Sequence, residues 1–347
     1  MASAFLFAVP TDAHDVSPGT QLARIARVHR GAVDVITTTG EQRAELSASV
    51  AAQGAADPSL LPCVGDLCVV SYPPETRVVD VLPRKSAVTR ASVTPGSSHR
   101  QVLAANVDVL AVVEPLSSAP TLGRIERLLA LAWESGAAPV VVLSKSDLDP
   151  DPDEWVREVS VIAPGAPVIA VSQRTGLGID ELRQVAQPGA VLAFVGPSGA
   201  GKSTLVNALA DSEVMTTAEI RDDGRGRHTT VHRELIVLPD GSLVIDTPGL
   251  RSIGLATTEA LDHVFNDIVE LAEQCRFNDC VHETEPGCAI TDAIETGELP
   301  ERRLQSWRKL QREADYQERR TNARLRAAER DLWKQRTKEM RQRGNRP

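Results

Sequence analysis

Two short runs carry residue types whose spacing suits phosphate and base chemistry. Gly196-Pro197-Ser198-Gly199-Ala200-Gly201-Lys202-Ser203-Thr204 has the glycines that let a backbone curl until several N–H groups point at one anion, a lysine to add charge, and a hydroxyl for Mg²⁺. Ser144-Lys145-Ser146-Asp147 offers a carboxylate that can accept both the N1–H and the exocyclic amine of guanine, a donor pair that adenine lacks. Lys145 and Lys202 are two of only six lysines in a chain that otherwise uses arginine, which argues against coincidence.

The elements that must position these runs are legible around them. Ala190 to Val195 reads as a buried strand and Thr204 to Leu209 as a helix, so bound phosphates would meet a helix N-terminus. Ala138 to Leu143 is an apolar strand that would carry Asp147 to the carboxyl edge of a sheet, where open α/β folds bind ligands. A further strand, Pro167 to Val171, leads into Ser172-Gln173-Arg174-Thr175-Gly176, which resembles the loop whose backbone N–H meets the guanine O6. In most GTPases the phosphate loop comes first and the guanine-reading run last. Here the guanine run precedes the phosphate loop, and Asp246-Thr247-Pro248-Gly249 follows both, which is the order of a circularly permuted GTPase. Ser144 stands where such enzymes usually carry Asn, and Gln173 where they carry Ala; the Ser144 hydroxyl can still tie the two loops together.

Between the phosphate loop and Asp246, residues 214–233 are polar and contain Gly226-Arg227-His228-Thr229-Thr230, the composition of a switch loop. Either Thr229 or Thr230 is expected to join Ser203 on magnesium, with Asp246 reaching the metal through water and the Gly249 N–H touching the γ-phosphate. The position after Gly249, often a water-orienting Gln, is Leu250, which cannot hydrogen-bond. His228 is the nearest group able to orient or polarise the attacking water; as a lone histidine in a basic loop it also fits a solvent-facing or RNA-contacting residue.

A third constellation is Cys275-x₄-Cys280-x-His282-x₅-Cys288, after a helical pattern from Leu261 to Glu273. Three thiolates and an imidazole match a closed, four-coordinate structural zinc site, with no position left for a reacting water. Five cysteines and an opening run, Ala4 to Val9, without a basic flank argue against a secreted disulfide framework, a signal peptide or a membrane span. Cys63 and Cys68 have no second pair to complete a site and read as ordinary buried residues.

The chain has 347 residues, 42% hydrophobic and 24% charged, so more than one core is expected. From about Gln21 to Thr89, short alternating runs divided by Gly and Pro suggest a small β-barrel, plausible as an OB-fold, and Ser92 to Arg100 reads as a linker. The expected organisation is multidomain: residues 1–95 a barrel with extension and linker, 96–256 a permuted α/β GTPase unit, and 257–347 a mostly helical zinc-binding unit. Net charge is −9, yet residues 301–347 carry 16 Lys+Arg against 7 Asp+Glu, leaving 22 against 40 before them. A uniformly basic nucleic-acid binder is therefore excluded. Local RNA contact by the tail, with Trp307 and Trp333 stacking, stands beside a plain solvated helix laced with ion pairs.

Taken together, the small barrel, the permuted motif order, the Gly226 to Thr230 and Asp246 to Leu250 runs and the Cys/His spacing resemble the small ribosomal subunit biogenesis GTPase family, RsgA (also YjeQ or EngC). That resemblance implies a cytoplasmic bacterial GTPase with GTP or GDP as ligand; a monomer without a membrane partner is expected. It further implies stimulation by the small ribosomal subunit, action late in its maturation near the decoding centre, and contact of barrel and zinc unit with ribosomal RNA. A large-subunit assembly GTPase and a nucleotide-gated RNA scaffold remain as alternatives.

Overall fold

The computed structural model describes residues 17–71, 75–91, 100–185, 187–215, 233–246 and 258–321. The N-terminal part is a five-stranded barrel. Its strands are β1 (Thr20–Val28), β2 (Ala32–Thr37), β3 (Gly40–Leu46), β4 (Leu67–Ser71) and β5 (Arg77–Val81), with helix α1 (Ala48–Ala56) between β3 and β4. All neighbours are antiparallel except β3 and β5, and β4 pairs back to β1, so the ring closes in the order 1-2-3-5-4-1. Strand alternation places Val33 and Val35 inward beside Ile25, Val70 and Val78. Cys68 belongs to this core, and burial pushes the Cys63 thiol up to about 12, so both behave as packing residues.

The expected linker is bounded differently from the sequence reading. Strands β6 (Ala87–Ala91) and β7 (Arg100–Ala105) pair antiparallel, with Ala87 opposite Ala105 and Ala91 opposite Arg100. Arg100 thus belongs to a ladder, while 92–99 lie outside the described residues. Pairing between flanks separated by a Pro/Gly/Ser run leaves no periodic signal in the run itself.

The central sheet is built from β8 (Val109–Pro115), β9 (Ala138–Ser144), β10 (Val168–Val171), β11 (Val191–Val195), β12 (Glu234–Val237) and β13 (Leu243–Asp246). Their order is 10-9-8-11-13-12, parallel throughout except for β12. Helices α2 (Leu122–Ser135), α3 (Pro152–Ile162), α4 (Ile179–Val185) and α5 (Lys202–Ala210) cover both faces. Strands buried on both faces need unbroken apolar runs, and every residue of β11 is buried. Leu110, Val112, Val141 and Leu143 pack with α2 on one face; Ala111, Val113, Val140 and Val142 pack with α4 and α5 on the other.

Barrel and sheet are joined edge to edge. Arg27 of β1 lies opposite Glu234 of β12 and pairs with its carboxylate. Nearby, Gly65 sits at φ +93, where a Cβ would lie 2.1 Å from the Ala105 carbonyl oxygen and 2.9 Å from the Ile245 side chain. Only glycine permits that approach.

The C-terminal part holds α6 (Glu259–Val264), α7 (Asn266–Ala272), α8 (Ala289–Thr296) and α9 (Glu301–Thr321). The expected single helix over Leu261 to Glu273 is broken at Phe265, whose backbone leaves the helical region so that its ring can bury completely under the Arg303 guanidinium, 4.5 Å from the ring centroid. Leu304, Leu310 and Ala314 form the buried stripe of α9, and Trp307 packs with them against the core. Trp307 is therefore a packing residue rather than an exposed platform for bases, and Trp333 lies outside the described residues. Among the described residues no helix is long and apolar enough to cross a membrane.

Candidate functional site

The carboxyl ends of β8, β9 and β11 converge on one edge of the central sheet. The chain leaves β11 at Gly196, where a Cβ would strike the Val113 carbonyl oxygen of β8 at 2.2 Å, so the loop starts pressed against its neighbour strand. Gly199 and Gly201 both have positive φ, and Gly201 opens α5. Lys202 donates from Nζ to the Gly196 and Pro197 carbonyls at 3.0 and 2.8 Å, folding its ammonium over the loop it follows. Ser198 is exposed, Ala200 is buried, Ser203 is half-buried and Thr204 exposed at the first turn of the helix.

Two side chains bridge this loop to the guanine-reading runs. Ser144, fully buried at the end of β9, donates its hydroxyl to the Ala200 carbonyl at 2.7 Å. Gln173 reaches the Gly201 carbonyl at 3.5 Å. Lys145 takes a left-handed conformation, φ +57, which turns the chain into the short 3₁₀ segment carrying Asp147. The Asp147 carboxylate accepts the Ser172 hydroxyl at 2.7 Å, and Arg174 Nε stands 3.3 Å from its other oxygen. The Ser172 hydroxyl, then the backbone N–H of Asp147 and the Arg174 and Lys145 charges, hold this carboxyl below the usual range against the opposing effect of burial. Asp147 is thus an oriented, ionised acceptor. Ser172 is itself fixed by the Thr175 N–H at 3.2 Å.

Arg174 had no role assigned from sequence, although a cation two residues after Ser172 was a usable signal. Glu114, at the end of β8, was missed entirely: it is buried, accepts the Thr121 N–H at 2.9 Å, and is clamped by Arg124 Nε at 2.8 Å, so it ties the start of α2 to β8 beside the site. Asp246 ends β13, with its backbone opposite Glu234. His228, Thr229, Thr230, Gly249 and Leu250 lie outside the described residues.

About the second constellation the geometry is compact. Cys275 follows α7, Cys288 caps α8, and one ligand atom from each of Cys275, Cys280, His282 and Cys288 lies within 4.8 Å of the others. Both Cys275 Sγ and Cys288 Sγ stand 3.6 Å from His282 Nδ1, and the two sulfurs are 4.0 Å apart. Bonds of about 2.3 Å to sulfur and 2.0 Å to nitrogen give tetrahedral edges of roughly 3.5–3.8 Å, so the donor set fits a metal ion. His282 has φ +60, and Arg308 of α9 donates to the Val281 and His282 carbonyls at 2.9 and 2.7 Å, fixing that turn. Glu285 accepts N–H groups from Val281, Glu283 and Thr284 at 2.9–3.0 Å, which holds its carboxyl down at about 2. Burial works to raise the Cys288 thiol, but hydrogen bonds from Thr291, with His282 and Cys280 adding to them, bring it down to about 6; desolvation first, and then its neighbouring thiols, push Cys280 up to about 11. The Trp307 ring stands 6.1 Å from that of His282, its indole N–H buried without a partner among the described residues.

Residues 81–256 match the family model described as RsgA GTPase. The chain is 49% identical over 324 residues to a protein of Streptomyces avermitilis called small ribosomal subunit biogenesis GTPase RsgA, covering 92% of this chain and 86% of that one. The chain belongs to the RsgA GTPase family. An RsgA protein of Streptomyces coelicolor shares 48% identity over 94% of this chain and 88% of its own. Among solved structures, YjeQ from Thermotoga maritima superposes with a TM-score of 0.63 at 29% identity, covering 85% of this chain and 98% of its own. YloQ, described as a circularly permuted GTPase, gives 0.60 at 22% and supports the fold alone, over 87% of this chain and 98% of its own. A second model, described as ABC transporter, matches residues 179–339, a span that takes in the phosphate loop common to many nucleotide-binding proteins. RsgA membership makes this chain a P-loop GTPase of permuted order, in line with the sheet edge that gathers Asp147, Ser172 and the 196–203 loop.

Proposed function

We propose that this protein hydrolyses GTP to GDP and phosphate in association with the small ribosomal subunit, assisting its late maturation. The observation that carries the reading is the permuted sheet edge, where Ser144 ties the guanine-reading run to the phosphate loop, in a chain 49% identical to a relative named for small-subunit biogenesis. The names of the relatives favour this over a large-subunit GTPase or a nucleotide-gated scaffold.

In this reading Asp147 takes the guanine N–H pair, with Ser172 and the Gln173 backbone alongside. Backbone N–H groups of Gly196 to Thr204 and the Lys202 ammonium bind the phosphates, Lys202 leaving its loop carbonyls to do so. Ser203 and either Thr229 or Thr230 would hold a magnesium ion, which supplies charge neutralisation on the phosphates. Asp246 and Gly249 complete that end, and His228 orients the attacking water, since Leu250 offers no hydrogen bond. Cys275, Cys280, His282 and Cys288 would hold one structural zinc, favoured by a thiolate-rich donor set. The reading also takes the protein as a cytoplasmic monomer whose barrel and helical unit touch ribosomal RNA, and divides the chain near residues 95 and 256.

Because the run after Asp246 leads straight to the helical unit, closure on the γ-phosphate is transmitted to an RNA-contacting module, and hydrolysis lowers affinity for the subunit. Co-sedimentation with purified small subunits in saturating non-hydrolysable GTP analogue or GDP tests this. Tighter binding with the analogue is expected; equal binding with both nucleotides would overturn it.

A further inference from the structure

A buried ionic clasp joins the helical unit to the GTPase sheet. Glu126 of α2 is fully buried, and it accepts from three α9 donors, Arg302 at 3.0 Å, Arg303 at 2.8 Å and the Ser306 hydroxyl at 2.5 Å. Arg303, itself 2% exposed, also binds both oxygens of Asp267 at 2.9 Å and the Val264 carbonyl at 2.6 Å. Glu126 and Arg303 are buried as an opposite-charge pair, which makes their burial tolerable, while Arg302 and Asp267 meet them from the solvent-facing rim; neither buried partner can leave without weakening the other's pairing.

Both ends of this clasp lead to a site. Along α9, little more than one turn beyond Arg303, Arg308 holds the Val281 and His282 carbonyls of the Cys/His knuckle. Along α2, one turn before Glu126, Thr121 and Arg124 bind the Glu114 carboxylate. The Glu114 carbonyl is 3.5 Å from the Ser144 hydroxyl, whose stronger bond goes to Ala200 of the phosphate loop. Side-chain hydrogen bonds, linked through α9 and α2, therefore connect the knuckle to the phosphate loop.

We infer that the α9 clasp couples the two sites, so that metal in the knuckle strengthens guanine-nucleotide binding and nucleotide strengthens metal binding. The inference rests on the metal and nucleotide assignments proposed above. Four ligands drawn from a loop with a left-handed His282 hold their shape only when cross-linked, so a stripped knuckle gives up the carbonyls that Arg308 grips. α9 then trades a docked state for a looser one, with Glu126 and α2 following. Linkage requires the effect to be reciprocal.

The test uses the full chain loaded with zinc, in excess magnesium. GDP affinity is measured before and after removal of zinc with a zinc-selective chelator, and again after zinc is restored. Zinc affinity is measured by chelator competition with and without saturating GDP, which requires no stable stripped protein. Roughly fivefold or greater changes are expected, equal in both directions. In Arg308→Ala both ratios should fall towards one while the loaded protein still binds GDP. Unchanged zinc affinity on adding GDP would overturn the coupling and leave the site assignments standing. Loaded protein that binds no GDP, or a chain that retains no zinc, would overturn the assignment concerned and the coupling with it.

Discussion

The central sheet is joined to its two neighbours by different physics. On the barrel side the joint is a close strand-edge contact: Gly65 lies against the Ala105 carbonyl of β7 and the Ile245 side chain of β13, and a half-buried Arg27–Glu234 pair spans the edge from β1 to β12. On the helical side it is a side-chain clasp, with Glu126 and Arg303 almost wholly out of water. A glycine contact fixes distance but tolerates small rotations, whereas a buried charge cluster is satisfied or broken. Of the two joints, the helical one therefore carries the buried charge, and its disruption has the larger cost.

Substitutions at the two joints should separate them. Glu126→Ala leaves the buried Arg303 guanidinium with Asp267 as its one carboxylate partner among the described residues and is expected to cost about 3 kcal/mol of folding stability in urea titration. Gly65→Ala adds a Cβ against backbone at positive φ, and about 2–3 kcal/mol is expected by the same measurement, without loss of zinc. Ser144→Ala sharpens the far end of the clasp's path: the Ala200 carbonyl loses its buried donor, and GDP binding should weaken by about 1–2 kcal/mol in fluorescence titration. Arg27→Ala, by contrast, removes a partly screened pair, and a change below about 1 kcal/mol is expected.

Glu285 probes the knuckle end through pH. Its carboxyl is held down at about 2, below the usual 4.5, so its bonds to the loop amides are in full force above pH 4.5 and are lost as pH falls through about 2. Glu285→Gln should therefore speed hydrogen exchange at Val281, Glu283 and Thr284 at neutral pH, and the carboxyl resonance of the native side chain should titrate near pH 2.

Much of this was legible in the sequence because it rests on local chemistry. The phosphate loop is bracketed by its own strand and helix, and the four knuckle ligands fall within fourteen residues. The clasp was not legible, since Glu126 and Arg303 are 177 positions apart and a glutamate in a helix ordinarily faces solvent. One signal existed: Glu126 falls four residues after Leu122 and three before Leu129, on the apolar stripe of α2. The packing of Trp307 was hidden by its basic neighbours, which drew attention to a solvent-facing helix while its half-buried ring packs beside the buried stripe of α9. The β6–β7 pairing hid because its partners flank a run without periodicity.

Small-subunit action is tested most directly by the rate of GTP hydrolysis by the purified protein, alone and with purified small or large ribosomal subunits, with ATP as control. Acceleration by the small subunit only, with ATP untouched, is the expected result. Equal rates with and without either subunit would contradict it.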